Sequence, residues 1–161
     1  MYLDMKINLI AVGGKMPAWV KEGTKEYQKR LPRNFEFIVT EIALARRSKA
    51  NANIEKLCVQ EGKALLNAVS GDQYKVALDV KGKVFSTKEL ATKFGKLMES
   101  GRDISLLAGG PDGLSDECLE SADEIWSLSA LTMPHTLVRI VVAEQVYRVW
   151  SFLTGHPYHR E

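Results

Sequence analysis

Five short runs of apolar and β-branched residues recur along these 161 residues, and each is followed by a stretch of helical periodicity. The runs are Lys6–Val12, Phe35–Ile42, Tyr74–Val80, Asp103–Ala108 and Ile125–Leu131. Strands that alternate with helices cannot pair as tight hairpins. They imply an α/β fold, a mainly parallel sheet with helices on both faces. At 161 residues, 45% of them hydrophobic, the chain suits one domain spanning 1–161.

Local signals place the boundaries. Gly13-Gly14 ends the first strand and Pro17 suits a helix first turn, with Trp19, Val20, Tyr27 and Leu31 at helical spacing until Pro32. Ala43–Ala52 is a polar, basic loop. Asn53 can cap a helix that carries Leu57, Cys58, Leu65 and Leu66. Lys81-Gly82-Lys83 reads as a turn after the third strand. Ser86 or Thr87 can cap the next helix, and Ser115 a short acidic one.

The last helix, Leu137–Leu153, is apolar nearly all round. Such a helix must be buried nearly all round, and one sheet face covers only one side. This predicts a homodimer with two-fold symmetry. A central helix covered within the monomer is the competing explanation. Arg139, Glu144 and Arg148 interrupt the stretch, so it is no membrane span.

The net charge of +2 is mild, but it is unevenly spread. Residues 1–64 hold 12 Lys/Arg against 7 Asp/Glu, and residues 65–161 hold 10 against 13. The basic excess lies between Lys15 and Lys49, including Arg30, Arg33, Arg46 and Arg47. It can draw in phosphates, although composition alone favours a solvated helix face and a flexible loop. Cys58 and Cys118 lie 60 residues apart with no metal-ligand spacing, so both are expected reduced and no metal is expected. No signal peptide is evident, and a cytoplasmic protein is expected. Met5 opens a run that could be the natural start, with Met1–Asp4 an extension.

P-loop, dinucleotide and nucleophile-elbow motifs are absent. Two strand-following loops stand out instead. In GGPDG (Gly109–Gly113), Gly109 and Gly110 would let a ligand approach the backbone. In SLSALTMPH (Ser127–His135), apolar Leu128, Leu131 and Met133 sit where a polar loop is expected, and Pro134 restrains Met133. Such a loop suits an adenine read by backbone groups, or simply closes the sheet. Arg139 follows within a turn or so and is open to a substrate role, whereas Glu144 suits an ion pair between helices. The tail HPYHRE offers His156, Tyr158, His159 and Arg160, groups that stack on bases or take phosphates.

Together INLIAVGGKMP, YQKRLP, LLAGGPDGLS, WSLSALTMPH, LVRIVVAEQVYRVWS and HPYHRE closely resemble the RlmH family of ribosomal RNA large subunit methyltransferases, in the SPOUT superfamily. Asp112 stands where members often carry Glu. The resemblance implies a SPOUT-type fold with a C-terminal trefoil knot, an obligate homodimer, and S-adenosyl-L-methionine as methyl donor. It implies cofactor contacts at Leu78, Gly109 and the loop Leu128, Ser129, Ala130, Leu131, Thr132 and Met133. The implied substrate is the N3 position of a pseudouridine in 23S rRNA of the assembled ribosome.

For this chemistry the protein must mainly bind, align and desolvate, and alignment can supply about 7–11 kcal/mol. A general base is nominated among His159 and Tyr158, with Glu144 and His135 behind them. Arg160 and Arg139 are nominated for the developing anion or a phosphate. Two readings from other classes compete: a ribosome-binding module without catalysis, and a nucleotide hydrolase using His159 and Asp112. A methyltransferase of the same fold acting on another RNA is a third.

Overall fold

The computed structural model describes residues 4–46 and 53–160. It contains a five-stranded sheet of β1 (Met5–Val12), β2 (Phe35–Ile42), β3 (Tyr74–Val84), β4 (Ile104–Ala108) and β5 (Glu124–Ser127). The strand order is β2-β1-β4-β3-β5, and every pairing is parallel. Between the strands run α1 (Ala18–Gln28), α2 (Ile54–Asn67), α3 (Thr87–Glu99) and α4 (Asp116–Ser121), and α5 (His135–Thr154) follows β5. The α/β reading and the parallel sheet therefore hold.

The helices divide between the two sheet faces. Phe94 and Met98 of α3 and Val142, Val146 and Val149 of α5 pack with Ile7, Leu9, Val76 and Leu106, and Tyr27 of α1 leans on the same core. On the other face Leu65 of α2 and Cys118 of α4 pack on Ile10, Val12 and Leu107. The expected caps form. The Asn53 side chain accepts the Lys56 N–H at 3.2 Å, and Ser115 accepts the Cys118 N–H at 3.3 Å. Ser86, not Thr87, caps α3 through a reciprocal capping box with Glu89. Burial pushes the Cys118 thiol pKa up.

Three expectations are corrected. Lys81–Lys83 is not a turn that ends the third strand, because β3 continues to Val84. Leu78 and Lys83 both pair with Trp126, so Asp79–Gly82 bulges out of the ladder and returns. A Cβ on Gly82 would lie 2.6–2.7 Å from backbone atoms of Ile125 and Trp126, so the glycine serves close strand approach. The fifth strand stops at Ser127 instead of Leu131, and the apolar residues beyond it form a loop. Leu31 lies past the end of α1, packed on the core. Much of the expected basic loop, including Arg47 and Lys49, lies outside the described residues.

Helix α5 lies on the sheet between α1 and α3, so its flanks are covered within one chain. Ile140 would meet a Cβ on Gly23 of α1 at 3.0 Å. Part of the apolar girth that predicts a homodimer is thus explained internally. An outward stripe stays open, with Leu137 41% exposed and Val141 partly so. Among the described residues no helix is long and apolar enough to cross a membrane.

The strand crossing yields a prediction. Gly82→Ala should destabilise the fold by about 1–3 kcal/mol, because backbone cannot move aside cheaply. Urea unfolding of the two proteins measures it, and an unchanged midpoint would contradict the crossing.

Candidate functional site

The central strands end together, and a cavity of about 450 Å³ opens at their carboxyl ends. Strands β1 and β4 are neighbours from which the connections run to opposite sides, the place where open α/β sheets bind ligands. Ala11 and Val12 come from β1, Leu78 and the bulge residues Asp79 and Val80 from β3, and Ala108 from β4. The Gly109–Gly113 loop forms one wall, and the segment from Leu128 to His135 forms another.

Of the expected cofactor contacts, Leu78, Gly109, Leu128, Ser129, Leu131, Thr132 and Met133 line this cavity. Ala130 does not. The Leu128–Pro134 loop is braced by its own side chains: the Ser127 hydroxyl donates to the Ser129 carbonyl at 2.9 Å, and Ser129 Oγ accepts the Leu131 N–H at 3.0 Å. Leu131 is 75% exposed at the rim. The backbone N–H groups of Thr132 and Met133 find no partner among the described residues, so they are available to a ligand. An apolar pocket of this size with a few backbone donors fits a purine-bearing cofactor.

Gly109 requires a different explanation from the expected one. A Cβ there would lie 2.5 Å from the Gly113 carbonyl. The loop closes through Gly113 N–H donating to the Gly110 carbonyl at 3.0 Å, with Gly113 at φ +79°. Glycine at 109 is therefore demanded by the turn itself, before any ligand enters.

Arg139 sits at the back of the cavity with only 3% exposure. It donates to the Glu41 carboxylate at 3.0 Å and to the Gly13 carbonyl at 2.8 Å. It thereby ties α5 to the ends of β1 and β2. Its charge is already paired, so the expected substrate-phosphate role gives way to a structural one. Its Nε is buried and has no hydrogen-bond partner among the described residues.

The tail lies elsewhere. Gly155, left-handed at φ +71°, ends α5, and a short 3₁₀ helix, Pro157–His159, folds back on it. The Tyr158 hydroxyl donates to Glu144 at 3.1 Å, and Arg148 donates to the same carboxylate at 2.5 and 2.8 Å. Tyr158 meets the Tyr147 ring edge-on at 4.5 Å, and His159 stacks on Phe152 at 4.3 Å. His159 Nδ1 is buried with no hydrogen-bond partner among the described residues, and Arg160 is exposed. None of Tyr158, His159 and Arg160 lines the cavity of its own chain. Helical rise explains why. Glu144 lies nine residues beyond His135, about 14 Å along the axis, and the tail anchors there or farther on. His135 does line the cavity.

Burial, then the Glu144 carboxylate, raises the Tyr158 phenol to about 12. It is therefore protonated at neutral pH and can donate but not accept a proton, which argues against it as general base. Glu144 makes an ion pair within α5 and holds the tail, where a pair between helices was expected.

Sequence reasoning missed the β1 end, the Asp79–Gly82 bulge and the Arg139 clamp. No local signal could reveal them, since strand order brings them together.

Three comparisons bear on this site. A family model described as "Predicted SPOUT methyltransferase" matches residues 5–159. The chain is 52% identical over 157 residues to a protein of Hahella chejuensis named Ribosomal RNA large subunit methyltransferase H, covering 98% of this chain and all of that one. It is 51% identical over 156 residues to a protein of the same name from Methylococcus capsulatus, covering 97% of this chain and all of that one. Among solved structures, one from Neisseria gonorrhoeae, provisionally titled a methylase family protein, aligns over 96% of this chain and 95% of its own, with TM-score 0.54 and 14% identity. One from Bordetella pertussis, provisionally titled a methyltransferase, aligns over 90% of this chain and 96% of its own, with TM-score 0.56 and 12% identity. These two likenesses concern the fold.

Two predictions follow from the geometry. Tyr158 protonation contributes stability that is whole below pH ~10 and lost as pH rises through about 12, because its folded pKa is raised. Tyr158→Phe should flatten that alkaline loss, as read by chemical unfolding from pH 8 to 12. Arg139→Ala should destabilise by about 1–3 kcal/mol, since it leaves the buried Gly13 carbonyl without its donor and opens a void, while Glu41, 43% exposed, regains water. A shift in melting temperature of under a degree would contradict the clamp.

Proposed function

Because the chain belongs to the SPOUT methyltransferase family, we propose that it transfers a methyl group from S-adenosyl-L-methionine to the N3 position of a pseudouridine in 23S rRNA. The substrate is the assembled ribosome, the site of action is the cytoplasm, and the acting form is a homodimer of single SPOUT-type domains, 1–161, each with the C-terminal trefoil knot. The observation that carries this reading is the cavity at the ends of β1, β3 and β4, closed by the Leu128–Pro134 loop. Near-complete coverage of relatives named for ribosomal RNA methylation supports the substrate class.

The bound donor supplies an activated methyl group on a sulfonium, so that an in-line displacement suffices. The chain's own part is to bind and orient. Thr132 and Met133, through their open N–H groups, and the apolar side chains of Leu78, Leu128 and Met133 would hold the donor and exclude water. The imide nitrogen of the substrate must lose its proton. His159 is the preferred base, since the phenol of Tyr158 is held protonated. Tyr158, whose one phenolic proton goes to Glu144, then positions the tail, and Arg160 takes a phosphate or the developing anion.

These tail groups need a second subunit. The cavity is at the amino end of α5 and the tail at the carboxyl end, so two α5 helices crossing antiparallel about a two-fold axis bring each tail toward the partner's cavity. The open stripe containing Leu137 and Val141 supplies the contact. Dimerisation is then a catalytic requirement.

Transfer of labelled methyl to ribosomes from cells lacking this protein tests the reading. Label at one pseudouridine of large-subunit rRNA is expected. Donor binding without label would discard the substrate, and neither binding nor label would favour a non-catalytic ribosome-binding module. Truncation before His156 should abolish transfer while leaving donor affinity within a few-fold. Thr132→Trp, which fills the cavity from an exposed position, should weaken donor binding roughly tenfold or more by calorimetry. Mixing the truncated and the Thr132→Trp proteins should restore activity in heterodimers, and no recovery would refute the shared site.

A further inference from the structure

We propose that the Asp79 carboxylate recognises positive charge on the methyl donor, an inference that rests on the donor reading above. Asp79 is the first residue of the β3 bulge and lines the cavity. It is the one carboxylate among the described residues of that lining. Its orientation is set locally. Oδ1 accepts the Lys81 N–H at 2.8 Å across the bulge, the geometry of an Asx turn. Oδ2 has no hydrogen bond or ion pair among the described residues. The Arg139 guanidinium, which also lines the cavity, is already held by Glu41 and the Gly13 carbonyl.

Most of the wall around Asp79 is aliphatic or glycine, including Val12, Leu78, Ala108 and Gly109. Charge attraction is stronger beside such a wall than in water. The donor brings two cations, a sulfonium and an α-ammonium. The sulfonium becomes a neutral thioether when its methyl group leaves, whereas the ammonium persists in the product. A carboxylate facing the sulfonium therefore holds donor more tightly than product and promotes exchange after transfer. One facing the ammonium holds both alike.

Calorimetry on the full-length protein and Asp79→Asn distinguishes these cases. The amide keeps the Oδ1 acceptor for Lys81 and removes only the charge. Three ligands are titrated: S-adenosylmethionine, S-adenosylhomocysteine and the uncharged 5′-methylthioadenosine. The expected result is a donor Kd raised roughly tenfold or more, with methylthioadenosine bound within about twofold of the original protein. An equal loss for S-adenosylhomocysteine assigns the ammonium, and a loss confined to the donor assigns the sulfonium. Donor affinity within about twofold of the original overturns the proposal. So does an equal loss of methylthioadenosine, because the damage is then to the cavity wall. Should the amide variant unfold, Asp79→Ser, whose hydroxyl also accepts the Lys81 N–H, carries the same comparison. Failure of the original protein to bind donor at all instead sinks the methyl-donor reading, and this proposal with it.

Discussion

All five residues of β4 are buried, and this strand between β1 and β3 sets the terms for the rest of the molecule. A parallel strand covered on both faces must be apolar throughout, and Ile104–Ala108 nearly is. Ser105 is the exception, and its hydroxyl bonds to the Gln73 side chain. With β4 held centrally, the chain emerging at Gly109 has to turn sharply among the ends of β1 and β3. The Gly110–Gly113 closure does this, and the space left above the three strand ends is the cavity.

The second constraint is the contact of β3 with β5. Asp79–Gly82 leaves the ladder, and Gly82 returns it against the Ile125–Trp126 backbone. This ends β5 early and frees Leu128–Pro134 to become the second wall. The same excursion carries Asp79 and Val80 to the cavity rim. One irregularity thus shapes two sides of the site. Arg139 completes it from behind by joining α5 to β1 and β2, which explains a buried guanidinium in a largely apolar helix.

The length of α5 separates the two groups of candidate site residues. Its 20 residues span about 30 Å. The ligand-sized cavity lies at one end, and the aromatic and imidazole groups of the tail lie toward the other, locked by Glu144, Arg148, Tyr147 and Phe152. An ordered tail that cannot reach its own cavity is difficult to explain within one chain. In the proposed dimer a second copy would bring each tail to the other cavity by one symmetry operation, with the open stripe on α5 as the contact.

Much of this was legible without coordinates. Periodicity and caps gave the alternation of strands and helices, because Asn53, Ser86 and Ser115 act on their own neighbours. Apolar residues in the Leu128–Met133 loop and glycines after β4 marked both cavity walls. The rest depended on contacts between distant segments. Lys81-Gly82-Lys83 has the composition of a turn, yet Gly82 answers to a backbone more than forty residues away. The Arg139 charge looked free for substrate until Glu41, 98 residues distant, was brought beside it. The reach of the tail depended on the rise of a helix and on Glu144 pulling Tyr158 back. Local propensity therefore decided which elements form, through interactions that span a few residues. Strand order, the cavity and the separation of cavity from tail were decided by tertiary packing, because only long-range burial selects which ends meet.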